Sequence, residues 1–172
     1  SGTQDGWTTE LFPGWRRQQP SELRRDEFDS YALTSVGDPP LPLPPCVVWD
    51  TPDFDSLAAR QYARGLLEVA ALADLYVLVV SKEKYSDLSA WRVLELLAPL
   101  GRPLIIVLNK LTPDAEPVLL TSLRQRLAER GTPWGDVPIV PLPYDVALGR
   151  DGVGAASAGV ERLRATVAAR LS

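Results

Sequence analysis

Two long apolar runs, DLYVLVVS (74–81) and RPLIIVLNK (102–110), constrain this chain more than any other feature. A strand with one wet face alternates apolar and polar residues. A run without alternation is expected to be covered on both faces, as in parallel sheets held between helices. Segments with helical spacing flank both runs. Residues 57–73 place Tyr62, Leu66, Val69 and Ala73 on one stripe, with Arg60, Arg64 and Glu68 on the other. Residues 87–100 read as a helix closed by Gly101, a suitable C-cap. Residues 117–130 read as a third helix, with Leu120, Leu123 and Leu127 on one side. VPIVPL (137–142) reads as a short strand. Val160, Leu163, Val167 and Leu171 repeat at helical spacing to the end of the chain.

Upstream the pattern is less regular. Cys46 to Asp50 reads as a further buried strand, FDSYALTSV (28–36) as an edge strand, and GDPPLPLPP (37–45) as the loop between them. Strands alternating with helices predict an α/β fold with a doubly wound, mostly parallel sheet. The 172 residues suit one domain, with an irregular segment over 1–27 and the α/β core over 28–172.

Composition removes several classes of function. Without histidine there is no Ser-His-Asp or Cys-His catalysis and no histidine-ligated zinc. The single cysteine, Cys46, cannot form a disulfide within the chain and is expected to be a core thiol. A net charge of −4 and a pI near 4.9 argue against nucleic-acid binding; WRRQQPSELRR (15–25) is the one basic stretch and reads as a solvated segment. No run spans a bilayer, and the cytoplasm is the expected location.

In open parallel sheets, ligands bind beyond the carboxyl ends of the strands. The expected strand ends here are Asp50-Thr51-Pro52-Asp53, Ser81-Lys82-Glu83-Lys84 and Asn109-Lys110-Leu111-Thr112. Parallel strands would place Asp50 and Asn109 on one edge of the sheet, in nearby loops. The plain alternative for WDTPDFDS (49–56) is helix capping by Asp53, Asp55 or Ser56.

The order strand, DTPD, helix, strand, helix, strand, NKLT resembles the G domain of P-loop GTPases, with their DxxG and NKxD motifs. More narrowly, DTPDFDS, ADLYVLVVSKEKYSD and PLIIVLNK are similar to a bacterial group with a DTPDFDS-type variant. The resemblance covers most of residues 7–142. It implies GTP or GDP with Mg²⁺ as cofactors. Asp50 would hold a metal-bound water, and the backbone at Thr51 and Asp53 would contact the γ-phosphate. Asn109 would bind the base and Lys110 would pack along it, while Thr8 or Thr9 in WTTE would give a switch oxygen to the metal.

Departures from the pattern bear equally on function. Asp53 replaces the glycine of DxxG, and Thr112 replaces the aspartate that reads guanine. The P-loop, G-x-x-x-x-G-K-[ST], is absent together with its strand and helix; GVGAAS (152–157) is the one glycine-rich run near a helix and lacks the lysine. In the G-domain order the missing strand is central, so its absence leaves two apolar edges to be paired by an upstream segment or by another protein. The expectation is a GTPase-like nucleotide switch, a GTP hydrolase when an upstream P-loop is present and inactive as this chain alone. The alternatives are a degenerate, non-hydrolysing interaction module and a ParA-like ATPase, in which PIVPLPYDVAL would form the late strand and loop.

Overall fold

The computed structural model describes residues 6–24, 27, 29–35, 46–52, 60–81, 88–112, 114–131, 133–134, 136–143 and 158–171. The expectations for 37–45, for Asp53, Asp55 and Ser56, for Lys82 to Lys84 and for 152–157 lie outside these residues.

A small N-terminal unit comes first. Helix α1 (Gly6–Leu11) leads to β1 (Arg16–Arg17), which pairs in parallel with β2 (Ser30–Tyr31). Residues 1–27 are therefore not irregular throughout. The edge strand expected over 28–36 is confined to Ser30–Tyr31, in a ladder separate from the main sheet. Aromatic packing builds this unit. Phe12, 2% exposed, has ring centroids 5.2 Å from Trp15, 6.2 Å from Tyr31 and 5.1 Å from Trp49. Such clusters supply large buried area from few residues.

The main body alternates helix and strand: α2 (Arg60–Leu72), β3 (Tyr76–Ser81), α3 (Leu88–Leu97), β4 (Leu104–Leu111), α4 (Glu116–Glu129), β5 (Ile139–Pro143) and α5 (Ala158–Leu171). The three strands form a parallel sheet in the order β3-β4-β5. After α3, one 3₁₀ turn over Ala98–Leu100 ends at Gly101 in the left-handed region (φ 64°), as the sequence predicts.

Both faces of the sheet carry helices. Leu104, Ile106 and Leu108 of β4 join Tyr76, Leu78 and Val80 of β3 beneath α2, α3 and α4, which contribute Ala70, Trp91, Leu94 and Leu123 among others. Ile105, Val107 and Val140 face the other way, against Leu163 and Val167 of α5. Gly159 permits close approach there: a Cβ at that position would stand 2.8 Å from a Leu142 methyl and 3.1 Å from the Pro141 carbonyl oxygen. On α4 the fully buried side chain beside Leu123 and Leu127 is Leu119, with the expected Leu120 only half-buried.

Two expectations are overturned. Strand β3 is covered less on one face than expected: among the described residues α5 packs chiefly over β5 and β4, and Val77 is 44% and Val79 50% exposed. The segment 46–50 is not a strand and not buried. Among the described residues it has no ladder partner, Val48 is 82% exposed, and Cys46 is an exposed thiol rather than a core one. The reason is the same in both cases. Among the described residues, neither β3 nor 46–50 has a strand neighbour on its open side, and a strand without a neighbour leaves its backbone groups to water.

One-sided cover has a measurable consequence. Leu108→Ala, at a fully buried position, is expected to destabilise the protein by about 3 kcal/mol. Val79→Ala on the bare face is expected to cost less than about 1 kcal/mol. Urea unfolding of the two variants measures the difference, and equal losses would mean that the face is covered in solution.

Candidate functional site

Strand β4 delivers the best-defined part of the candidate site. Its end is aligned with the end of β3, Ser81 opposite Asn109. Asn109 is half-buried and Lys110 is exposed. Lys110 has φ 59°, the one positive value at a non-glycine residue among those described. A lysine in the left-handed region costs on the order of 1 kcal/mol against ordinary backbone. The Lys110 N–H donates to Asn109 Oδ1 at 2.8 Å, which holds the turn. The β4–β5 register also slips between Leu108 and Leu111, so the strand turns its polar pair outward and resumes at buried Leu111. Thr112 is exposed, and its carbonyl accepts from the N–H groups of Ala115 and Glu116 at 3.0 and 3.2 Å, closing the turn that leads into α4.

The DTPD half is built differently. Asp50 and Thr51 are exposed and lie outside any strand, so parallel strands do not bring Asp50 to Asn109. Asp50 forms no hydrogen bond or ion pair with Asn109 or Lys110. Hydrogen bonds among the described residues tie this half and the N-terminal unit to α2. Tyr62 at the start of α2, 3% exposed, donates its hydroxyl to the Pro52 carbonyl at 2.8 Å, and Trp15 donates its indole N–H to Glu68 Oε2 at 2.7 Å. Asp53 lies outside the described residues.

Thr8 and Thr9 differ sharply. Thr9 is exposed on α1, whereas Thr8 is 0% exposed and its hydroxyl accepts from Tyr31 Oη at 3.1 Å. In this arrangement Thr8 is sealed from any metal. Among the described residues, no group of three His, Cys, Asp or Glu side chains could hold a metal ion. Mg²⁺ takes about six oxygens and keeps several as water or phosphate, so Asp50 could supply only one contact and needs a phosphate group to complete a site.

Sequence reasoning missed Tyr31, Trp15 and Glu68. The density of aromatic residues in an otherwise polar N-terminal segment was the available signal. It also missed the cover of Trp91, whose ring carries the Arg130 guanidinium at 4.6 Å while Arg130 pairs with Glu95 at 3.0 Å. A shallow groove of about 440 Å³ lined by Ser122, Gln125, Arg126, Glu129 and Arg130 follows α4 itself. It lies toward that helix's C-terminal half, away from the strand ends.

These features define a parallel α/β protein with a polar pair, Asn109-Lys110, near the carboxyl end of its central strand. No family model matches the chain, and neither do any curated protein or solved structure. Among the described residues, no helix is long and apolar enough to cross a membrane.

Two outcomes follow from this geometry. The Glu68 carboxyl is held below its ordinary value, first by the hydrogen bond from Arg64 and then by that from Trp15. A lowered folded value means the contribution to stability is present above the unfolded pKa and is lost as pH falls through the folded one. Relative to Glu68→Gln, the wild-type protein is therefore expected to gain most near neutrality, and the gap should close below about pH 4. Urea melts across that range measure it; a constant gap would show that the carboxylate charge plays no part. At the other half of the site, Lys110→Gly is expected to raise stability by up to about 1 kcal/mol by removing the left-handed cost. Thermal unfolding reads this directly, and destabilisation would mean that the lysine side chain is itself a packing element.

Proposed function

We propose that this chain is the switch and base-binding part of a GTPase-like nucleotide domain acting in the cytoplasm. One observation supports the reading above the others. The Asn109-Lys110 pair projects from the carboxyl end of the central strand, on a backbone that spends free energy to hold it there. Ligands of open parallel sheets bind at this edge, and strain without a packing purpose collects at functional positions. Asn109 would donate and accept at the base edge, and the Lys110 stem would lie along the base plane. Thr112 offers a hydroxyl where a carboxylate would select guanine, so the reading includes weak discrimination between purines. With phosphates bound, Asp50 would hold a water of the Mg²⁺ shell, and the Thr51 and Asp53 backbone would face the terminal phosphate.

The phosphate cradle is missing from these 172 residues. The chain alone should therefore bind GTP, GDP and ATP weakly, with dissociation constants of about 1 mM or more. Sealed Thr8 favours a second reading, a non-hydrolysing module that keeps the fold for protein contact. Calorimetry with each nucleotide plus Mg²⁺, followed by NMR titration at millimolar nucleotide, separates these cases. The first reading expects shifts centred on the Asn109, Lys110 and Thr112 amides that Asn109→Ala abolishes. No shift there at saturating nucleotide sinks it and leaves the interaction module. Tight binding by the chain alone would overturn the assignment of the missing cradle.

A further inference from the structure

Asn109 is the only asparagine in the 172 residues, and the fold brings its side chain against the peptide nitrogen that follows it. Alternation along β4 sends the Ile106 N–H to the Pro138 carbonyl at 2.9 Å, and an unbroken ladder would send the Lys110 N–H toward β5 as well. The slip between Leu108 and Leu111 interrupts that alternation. The Lys110 N–H donates to Asn109 Oδ1 at 2.8 Å, on a backbone held at φ 59°. Given a carbonyl bond of about 1.2 Å, the Lys110 nitrogen then stands roughly 3.5 Å from Asn109 Cγ, a near-attack separation. A peptide nitrogen so placed beside a side-chain amide carbon can close a five-membered imide. We infer that Asn109 is a site of spontaneous deamidation, driven by the backbone of its own neighbour.

The reaction needs only hydroxide and water. Loss of the N–H proton to hydroxide makes the Lys110 nitrogen nucleophilic. A bond forms between that nitrogen and Asn109 Cγ, the Cγ–Nδ2 bond breaks, and Nδ2 takes up a proton and leaves as ammonia. Water then opens the imide. Opening at Cγ gives aspartate at 109 with the main chain restored, and opening at the main-chain carbonyl gives isoaspartate. Local features favour closure. The hydrogen bond at Oδ1 polarises the amide carbonyl, and the ammonium of Lys110 favours the anion of its own peptide nitrogen. Asn109 is half-buried and Lys110 exposed, so hydroxide and water reach the pair. The bulk of lysine opposes closure in a free chain, and the fixed geometry offsets it. The product carries one more negative charge and, as isoaspartate, one more methylene in the main chain at the end of β4. It also lacks the Asn109 amide that the nucleotide reading uses, but the chemistry rests on residues 109 and 110 alone and does not depend on that reading.

The test incubates the full chain, folded and in guanidinium chloride, in neutral and mildly alkaline buffers made with heavy-oxygen water. Peptide mass spectrometry reads conversion and oxygen uptake at 109, electron-transfer fragmentation separates aspartate from isoaspartate, and an ammonia assay reads the leaving group. The expected result is conversion at least about tenfold faster in the folded chain than in the unfolded one. The rate should rise with pH, and isoaspartate should be among the products. Asn109→Gln, which would need a six-membered ring, should suppress the conversion, with circular dichroism and thermal unfolding checking its fold. Conversion in the folded chain no faster than in the unfolded one would overturn the inference, because the hydrogen bond would then shield the amide. So would aspartate formed without isoaspartate, which marks direct attack of water on Cγ.

Discussion

Everything in the main body depends on β4 being buried on both faces. Its residues from Leu104 to Leu108 are at most 2% exposed, and alternate side chains enter two separate clusters. One set, Leu104, Ile106 and Leu108, anchors α2, α3 and α4; the other, Ile105 and Val107, anchors α5. A parallel strand without water on either side can hold its neighbours in register only if both layers of helices are present. That central position also fixes where polar groups emerge. The strand cannot carry Asn109 and Lys110 inside the sheet, so it turns them out at its carboxyl end, through a left-handed residue and a register slip.

The N-terminal unit follows a second principle, aromatic packing around Phe12. It packs Trp49 against Trp7, Phe12 and Tyr31 and places Tyr31 over Thr8. The two halves of the candidate site are thus held by different forces, one by the ladder of a parallel sheet and the other by rings and two long-range hydrogen bonds to α2. Trp15 to Glu68 and Tyr62 to Pro52 are the links between them.

Much of this was legible along the chain. The stripes Tyr62–Val69 and Leu123–Leu127, the turn at Gly101 and a strand read at 102–110, which forms over 104–111, follow from periodicity and glycine's freedom at positive φ, which are local properties. The Asn109-Lys110 pair was legible as a strand end. Its strain was not, because lysine has no local preference for the left-handed region and only the slip between β4 and β5 imposes it. Segment 46–50 misled for the complementary reason. Val47 and Val48 have strand propensity, yet a strand exists only when another supplies the ladder, and none of the described residues does so here.

By itself, then, the sequence determined the alternation of helix and strand, the parallel α/β class, and the residues able to line each helix–sheet contact. These depend on spacing within a few turns or a few strand residues. Tertiary structure alone decided that Val77 and Val79 of β3 stand exposed, that Thr8 lies sealed beneath Tyr31, and that Asp50 does not end a strand beside Asn109. Those outcomes turn on which surfaces find partners, and a partner's presence is a property of the whole assembly rather than of any local stretch.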